Sequence, residues 1–320
     1  MKRFLIVLCS SAFLFASVEG AITIHNGQVW SLDEVALHSP EQHYALAGAA
    51  YDRCEWKEAA KQFNVVSLNY PNHPLAHASS FFLGVCYFHL GDFEFANISF
   101  NDYISSTQGH PEFFEDAICY KLEIAHAFRE GECRHLFGMR KMPRWLSADN
   151  LAIEIYDEVI AAAPSHEAAV QALYYKAYLQ WRLREYLSAI TSLEILVKRF
   201  PKHELAPESF VTMNRIYLDW SQFEFQNPDI LAMAEINQRK FEEAFPGEER
   251  LCEGETDIQA IKESYARGLY ETGKFYERTY RPEASVLYYK KAIKQFPDTE
   301  IAQKCYRRLT KLGVPLPQQG

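Results

Sequence analysis

Five times along the chain, a proline closes the same spaced pattern. Tyr70-Pro71, Phe200-Pro201, Phe245-Pro246 and Phe296-Pro297 each set an aromatic residue before proline, and Ala163-Pro164 is a weaker fifth case. Twelve positions before these prolines stand Ala59, Ala189, Ala234, Ser285 and Ala152, all small. Eight positions before stand Phe63, Leu193, Gln238, Tyr289 and Tyr156; five before stand Val66, Leu196, Phe241, Ala292 and Val159. A small residue lets two helices approach closely, and large residues four and seven positions on stay on the same face. Proline then ends the helix, because it lacks an N–H and disfavours helix in the residue before it. A period of this kind predicts a stack of helical units and leaves little room for a sheet-centred globule. Composition agrees: apolar residues are 48%, which excludes disorder as a description of the whole chain, and Gly and Pro number only 14 each, which argues against a loop-rich β architecture. The formal charge of −9 gives no bulk attraction to phosphate backbones, so no nucleic-acid partner is expected.

The clearest unit runs from Ser79 to Ala96, two helical patterns joined at Leu90-Gly91-Asp92. Leu83, Gly84, Tyr87, Gly91, Phe93, Ala96 and Phe100 fall where the tetratricopeptide repeat (TPR) family places its Leu, Gly, Tyr, turn Gly, aromatic, Ala and Phe. The chain resembles that family from about residue 40 to 312. Leu46, Ala47, Trp56, Ala59 and Phe63 match in a first unit, Ala177, Leu183, Tyr186, Ala189 and Leu193 in a fourth, and Gly273, Tyr276, Ser285 and Tyr289 in a sixth. The resemblance implies an all-α fold, a TPR-type right-handed α-solenoid of about five to six helical hairpins over 40–312. Two units depart from the pattern. The Gly-punctuated stretch 130–147 reads as an inserted loop, and the fifth unit has a long first helix and a break at Asn227-Pro228-Asp229.

The first 20 residues have the plan of a cleaved secretory signal: Lys2 and Arg3, the apolar run Phe4 to Ala16, then the small residues Val18 and Gly20. A lipidated Cys9 is not expected, because Leu8 occupies the place where acylation signals want a small residue. Residues 21–39 contain Asn26-Gly27 between short apolar runs, the signal of a small hairpin or an extended arm. Residues 313–320 read as a frayed tail. Cys54, Cys86, Cys119, Cys133, Cys252 and Cys305 are scattered without a paired spacing, and most are expected to be small core residues on helix faces.

In the TPR family the first helix of each pair lines the concave face. By spacing from the matched positions, the inward candidates are Tyr44, Tyr51 and Asp52; Phe81, Val85, Phe88 and His89; Tyr174, Tyr178, Trp181 and Arg182; and Arg267, Tyr270 and Arg278. Aromatic groups beside a few charges suit capture of extended peptides or a partner helix. The alternative is that about half of them pack between neighbouring repeats. Catalytic signals are poor. Cys133 and His135 sit in the insert without a defined third group, and His73 and His77 have Pro74 between them and no further ligand. Asn97-Ile98-Ser99 is a formal glycosylation match placed mid-helix. No cofactor, metal or enzymatic activity is expected.

A closer resemblance rests on Tyr70-Pro71-Asn72-His73-Pro74, on Phe200-Pro201-Lys202-His203, and on the last unit, Ala266 to Arg278 closing at Phe296-Pro297-Asp298-Thr299. In these the chain is similar to the BamD/YfiO family of the bacterial outer-membrane barrel-assembly machinery. The resemblance implies an exported periplasmic scaffold, peripheral to the outer membrane, that contacts the barrel component or unfolded peptide segments. The competing expectations are another periplasmic TPR adaptor, for cell division, peptidoglycan coordination or secretion, and an enzyme built on a helical-repeat fold.

Overall fold

The computed structural model of the chain describes residues 22–25, 28–31, 35–105, 112–138, 142–224 and 227–314. The expected leader at 1–20 lies outside them, as does the Asn26-Gly27 step. Two compact units divide at residues 120 and 121.

The first unit opens with β1 (Ile22–His25) and β2 (Gln28–Ser31), paired antiparallel with Ile22 opposite Ser31. Helices α1 (Pro40–Asp52), α2 (Trp56–Asn69), α3 (Pro74–His89) and α4 (Phe93–Ser105) then pack in chain order. The unit ends on the first turns of α5 (Phe114–Glu130). Ala47, Ala59, Phe63, Leu83 and Cys86 form part of its core.

The second unit takes the rest of α5, then β3 (Cys133–His135), a 3-10 turn at Leu136–Gly138, and β4 (Arg144–Ser147). Helices α6 (Asp149–Ala162), α7 (Glu167–Arg182), α8 (Tyr186–Arg199) and α9 (Leu205–Phe223) follow. The chain closes with α10 (Pro228–Ala244), α11 (Leu251–Arg278), α12 (Pro282–Gln295) and α13 (Glu300–Lys311). This is the all-α stack of helical hairpins that the aromatic–proline period predicts.

The period acts through three local devices. Each second helix stops one residue before the residue that precedes proline. Tyr70, Ala163, Phe200, Phe245 and Phe296 are the cap positions, with φ between −126° and −135°, each N–H bonded four residues back. At four of the five sites the next helix then starts with a side-chain bond to its first turn; α11 has none. The Nδ1 atoms of His73, His166 and His203 accept from the N–H groups of Leu75, Ala168 and Leu205 at 3.3, 3.1 and 3.0 Å. Thr299 Oγ1 does the same work for Ala302 at 3.1 Å. A histidine replaces the usual Ser, Thr or Asp here, and satisfies one of the helix's orphan donors. Within each hairpin, the small column makes close contact possible. A Cβ placed on Gly84 would lie 2.7 Å from the Phe100 ring, and one on Gly273 would lie 2.5 Å from the Tyr289 ring.

The turn between the two helices of a hairpin recurs as well. Seven residues after Ala47, Gly84, Ala177 and Gly273 come Cys54, Gly91, Arg184 and Tyr280, all left-handed with φ of 58°, 71°, 63° and 57°. The residue after each bonds its N–H to a carbonyl five back, as Glu55 does to Ala50 and Asp92 to Tyr87. Gly131 (φ 116°) and the bond from Glu132 to Ala127 begin the same turn after α5. Instead of entering a helix, the chain then leaves on β3 and β4. The stretch read as an inserted loop is therefore a β-hairpin set into a hairpin turn of helices. The sequence hides this, because neither short strand shows a run of alternating residues.

Other expectations are corrected. Among the described cysteines only Cys86 and Cys305 are buried; Cys54, Cys119 and Cys252 are exposed and Cys133 is half-buried. Cys54 stands in the left-handed turn, and Cys252 lies on the exposed side of the first turn of α11, whose Leu251 and Gly254 face inward. The break at Asn227-Pro228-Asp229 is present as the start of α10: Asn227 Oδ1 accepts from Asp229 N–H at 3.1 Å, with Pro228 in the first turn. The fifth unit's first helix, α9, has 19 residues, but α11 is longer at 28, about 42 Å of helix. At the C-terminal end, Gly313 and Val314 cap α13, Val314 bonding its N–H to Leu309, so the described start of the expected tail is ordered by its backbone.

Candidate functional site

Tyr178, Trp181 and Arg182 are spaced i, i+3, i+4, which puts them on one side of the last turns of α7. They line a cleft of about 610 Å³ together with Arg129 and Glu130 from the end of α5, Arg184 from the turn, and Asp219 from α9. Trp181 donates its indole N–H to Asp219 Oδ2 at 2.9 Å, and Tyr186 donates its hydroxyl to the same oxygen at 3.3 Å. Burial first, and then the neighbouring Asp219 carboxylate, hold the Tyr186 phenol above its ordinary range. Both donors to Asp219 are neutral, so its charge is solvated by dipoles rather than cancelled.

Arg182 has a structural task. Its guanidinium donates to the Arg129 carbonyl at 2.7 Å and to Asp149 Oδ1 at 2.6 Å. The first is a carbonyl of the last turn of α5, which lacks a helical partner. The second belongs to the first residue of α6. Arg182 thus ties together the two ends from which the β3–β4 insert departs, and Ser147 adds a 2.7 Å bond to the other oxygen of Asp149. Arg129 lies over the Tyr175 ring at 4.3 Å and pairs with Glu130 at 3.0 Å. Arg184, held left-handed, lies over the exposed Phe223 ring at 4.8 Å. Once Arg182 and Arg129 are matched to carboxylates, Arg184 and Asp219 are the charged groups of the cleft left facing a ligand.

The remaining candidates fall elsewhere. Phe81 is buried at 5% exposure and stacks on Phe113 at 4.6 Å, so it is a packing residue rather than a groove-facing one. The helix period placed it correctly on α3 but could not tell a groove from a neighbouring helix. Tyr44 packs edge-on to Phe63 at 5.6 Å, and Tyr51 meets Trp56 and Phe82 at 5.2 and 5.5 Å. Phe88 packs on Tyr120 at 5.1 Å. Tyr270 lies half-buried against Tyr289, with Lys274 over its ring. Tyr174 is half-buried and donates to the Tyr178 hydroxyl at 3.4 Å; burial, followed by that bond, raises its phenol. The cleft therefore gathers three of the eleven aromatic and arginine candidates, with Tyr174 behind them.

Two residues of the cleft had a sequence signal that went unread. Arg184 is seven residues after Ala177, in the column shared with Gly91. Asp219 lies in the unit whose register departs from the others. No nucleophile–base pair lines the cleft among the described residues. Cys133 Sγ is 3.6 Å from the Gly131 carbonyl, while the buried His135 accepts from Arg144 Nε at 3.3 Å. His73 pairs with Glu41 at 3.1 Å and His77 stacks on Tyr103 at 4.2 Å, so the two are engaged separately. No group of three or more metal-ligating side chains is placed to hold an ion among the described residues. No described helix is long and apolar enough to cross a membrane. Asn97 and Ser99 are buried in α4, which removes the formal glycosylation match from reach.

Two family models match, both described as tetratricopeptide repeat, over residues 44–111 and 171–203. These segments are tetratricopeptide repeats. The second TPR match runs through α7 and α8, and so carries Tyr178, Trp181 and Arg182. No curated protein matches the chain. Among solved structures, a tetratricopeptide repeat protein from Parabacteroides merdae is 16% identical, with 84% of this chain and 97% of that one covered and a TM-score of 0.35. A MamA RS-1 double mutant is 14% identical over 71% of this chain and 97% of that one, with a TM-score of 0.35. A putative kinesin light chain from Podosopora anserina with TPR-like repeats is 16% identical over 65% and 97%, with a TM-score of 0.33. TPR repeats are protein-interaction modules, and the repeats at 44–111 and 171–203 indicate a protein-interaction scaffold.

Proposed function

We propose that the cleft between α5, α7 and α9 is where this scaffold receives its partner, and that the partner enters as an extended segment. The observation that carries this reading is the convergence of Tyr178, Trp181, Arg184 and Asp219 on one opening of about 610 Å³. Aromatic anchors flanked by the Arg184 cation and the Asp219 anion suit a peptide, whose backbone and side chains offer both donors and acceptors. A stiff first-helix frame limits the ordering cost of binding.

The finer reading is that the chain is exported and serves outer-membrane protein assembly in the periplasm. It is supported by the signal-like residues 1–20 and by the resemblance of the aromatic–Pro–x–His turns and the last unit to the BamD/YfiO family. A photo-reactive amino acid at position 178, introduced in living cells, tests both levels. Cross-links to a membrane β-barrel protein or its unfolded precursors support the assembly role. Recovery of division, wall or secretion components keeps the scaffold and replaces the role. The cleft reading fails if position 178 gives no adduct while an exposed position outside the cleft lining, such as Glu154 on α6, does.

A further inference from the structure

Charge is divided unevenly along this chain. Residues 22–120, within the first unit, hold twelve acidic residues and three cations. From Pro282 to Lys311, across α12 and α13, the balance reverses to seven cations and three acidic residues, in a chain of net charge −9. The acidic residues of the two helices, Glu283 and Glu300, stand in the first turns, where a helix favours an anion. Arg308 is held by Glu277 at 2.6 Å. The other six cations, Lys290, Lys291, Lys294, Lys304, Arg307 and Lys311, are exposed, and among the described residues none of them pairs with a carboxylate.

Helix spacing turns these cations away from the core. On α12, Ser285, Tyr289, Ala292 and Ile293 are buried, and Leu287, Lys291 and Lys294 take the opposite side, with Leu287 65% exposed. On α13, Ile301, Ala302, Cys305 and Leu309 are buried, and Lys304, Arg307 and Lys311 lie off that face. Helix ends account for Lys294 and Lys311, which lie in last turns, but not for Lys290, Lys291 and Lys304. Lys290 with Lys294, and Arg307 with Lys311, are like charges four residues apart, which repel. An anionic surface laid against them would relieve that repulsion.

The first unit carries such a surface. Tyr103 Oη accepts from Phe113 N–H at 2.8 Å, which draws the end of α4 to the start of α5. Asp102, Glu112, Glu115 and Asp116 flank this bond in sequence; all are exposed, and among the described residues none pairs with a cation. Asp102 lies in the last turn of α4, the end where a helix disfavours an anion, so helix electrostatics does not explain it.

We infer that the α12–α13 surface of one copy of this chain docks on the acidic first unit of a second copy, at the α4–α5 end. Leu287 supplies an apolar centre within a charged rim. The two surfaces differ, so the contact is heterologous: each pairing leaves one acidic and one basic surface open, and further copies can add. An anionic lipid would also attract α12 and α13, but it would repel the more acidic remainder of the chain, and α13 exposes no large apolar residue to insert. None of these residues lines the α5–α7–α9 cleft, so docking and partner capture use separate surfaces.

Sedimentation of the full chain tests this. In about 0.03 M salt the mean mass should rise with concentration past that of a dimer, and about 0.5 M salt should return it to the monomer, because screening then acts well within 10 Å. Contacts made by apolar segments are not lost in this way. K290Q/K291Q/K294Q should stay monomeric with an unchanged helical spectrum, as should D102N/E112Q/E115Q/D116N. If the fourfold variant unfolds, D102N/E112Q leaves the first turn of α5 intact and should weaken association severalfold. The decisive arm mixes the two variants in equal amounts. One intact acidic surface then meets one intact basic surface, and the mixture should stop at a dimer. K198Q/R199Q/K202Q, which removes three cations elsewhere, should associate like wild type. A wild type that is monomeric at every concentration overturns the inference. So does undiminished association of the α12 variant, or a mixture that stays monomeric. Monomeric protein that sediments with anionic vesicles through α12 overturns it in favour of a lipid surface.

Discussion

Two close approaches in this molecule solve one steric problem by opposite chemistry. In the first unit, Gly84 of α3 makes room for the ring of Phe100 on α4. In the second, Gly254 of α11 makes room for two amides: a Cβ there would lie 2.1 Å from Gln238 Oε1 and 2.5 Å from Asn214 Nδ2. Around Gly254 the amides satisfy one another. Asn214 donates to Gln238 at 3.0 Å, Asn237 donates to Asn214 at 2.8 Å and to the Phe210 carbonyl at 3.0 Å, and Gln238 donates to the Leu251 carbonyl at 3.1 Å. An aromatic contact fails gradually, by area and shape. An amide ladder fails all at once, because each lost partner strands another buried group.

The largest expected effect follows from that difference. Asn214→Leu leaves the Gln238 side-chain carbonyl without its donor and takes one of two acceptors from the Asn237 amide, in a site that is buried. It should cost about 3 kcal/mol or more, read as a drop in the urea midpoint of the second unit's transition. A loss below about 1 kcal/mol would show that the ladder is interchangeable with apolar packing, and would erase the distinction from the Gly84 contact.

Next comes Gly84→Ala. The new methyl presses on a ring that touches it at three atoms, which should cost about 1–3 kcal/mol. Unlike the amide site, this one should be repairable: Phe100→Leu in the same chain gives the methyl space, so the double variant should be more stable than the two single losses added together. Additive losses would mean that α3 and α4 do not meet through these two residues.

How much of this the sequence disclosed follows the same division. Apolar columns are legible because the size of a residue is visible in its letter. Ala59, Phe63, Val66 and their equivalents announced the hairpins and their ends. Gln238 stood in that large-residue column as an exception, and nothing in one letter says that Asn214, 24 residues earlier, will meet it. The site divides likewise. Tyr178, Trp181 and Arg182 were found by helix spacing, but Asp219 comes from a neighbouring helix in an altered register. Phe81 and Phe88 share the same spacing and prove to be packing residues, since periodicity gives the face and not what covers it. The β3–β4 hairpin was found as a boundary and misread as irregular, because three- and four-residue strands carry too few positions to show a period of two.

The left-handed turns sharpen the comparison at lower cost. Gly91 fits φ of 71° freely, whereas Arg184 and Tyr280 hold 63° and 57° against steric resistance from their Cβ atoms. Tyr280→Gly should therefore stabilise by about 1 kcal/mol, and Gly91→Ala should destabilise by about the same amount. Arg184→Gly separates structure from function. It should relieve the same strain, partly offset by the lost contact with Phe223, yet weaken capture at the cleft. A variant more stable than wild type with an unchanged cross-linking yield at position 178 would remove Arg184 from the binding role.

The smallest effect concerns a half-buried histidine whose inner ring nitrogen is not paired. Among the described residues His126 Nε2 has no hydrogen-bond partner, and its ring lies between Tyr175 at 4.5 Å and Tyr156 at 5.8 Å. Burial first, and then the Arg129 guanidinium, push its pKa below the ordinary 6.5, against weaker opposing pulls from Glu123 and Glu130. The unfolded chain therefore binds a proton on His126 more readily than the folded one as pH falls through the mid-sixes. Stability from this group is present above the unfolded pKa and is lost as pH falls toward the lower folded value. In His126→Gln that part of the pH dependence disappears, so the loss of stability between about pH 7 and about pH 5.5 should be shallower than in wild type. A steeper slope in the variant would mean that His126 is charged in the fold. Arg129, which lies over Tyr175 and lines the cleft, would then need a different balance of charge beneath it.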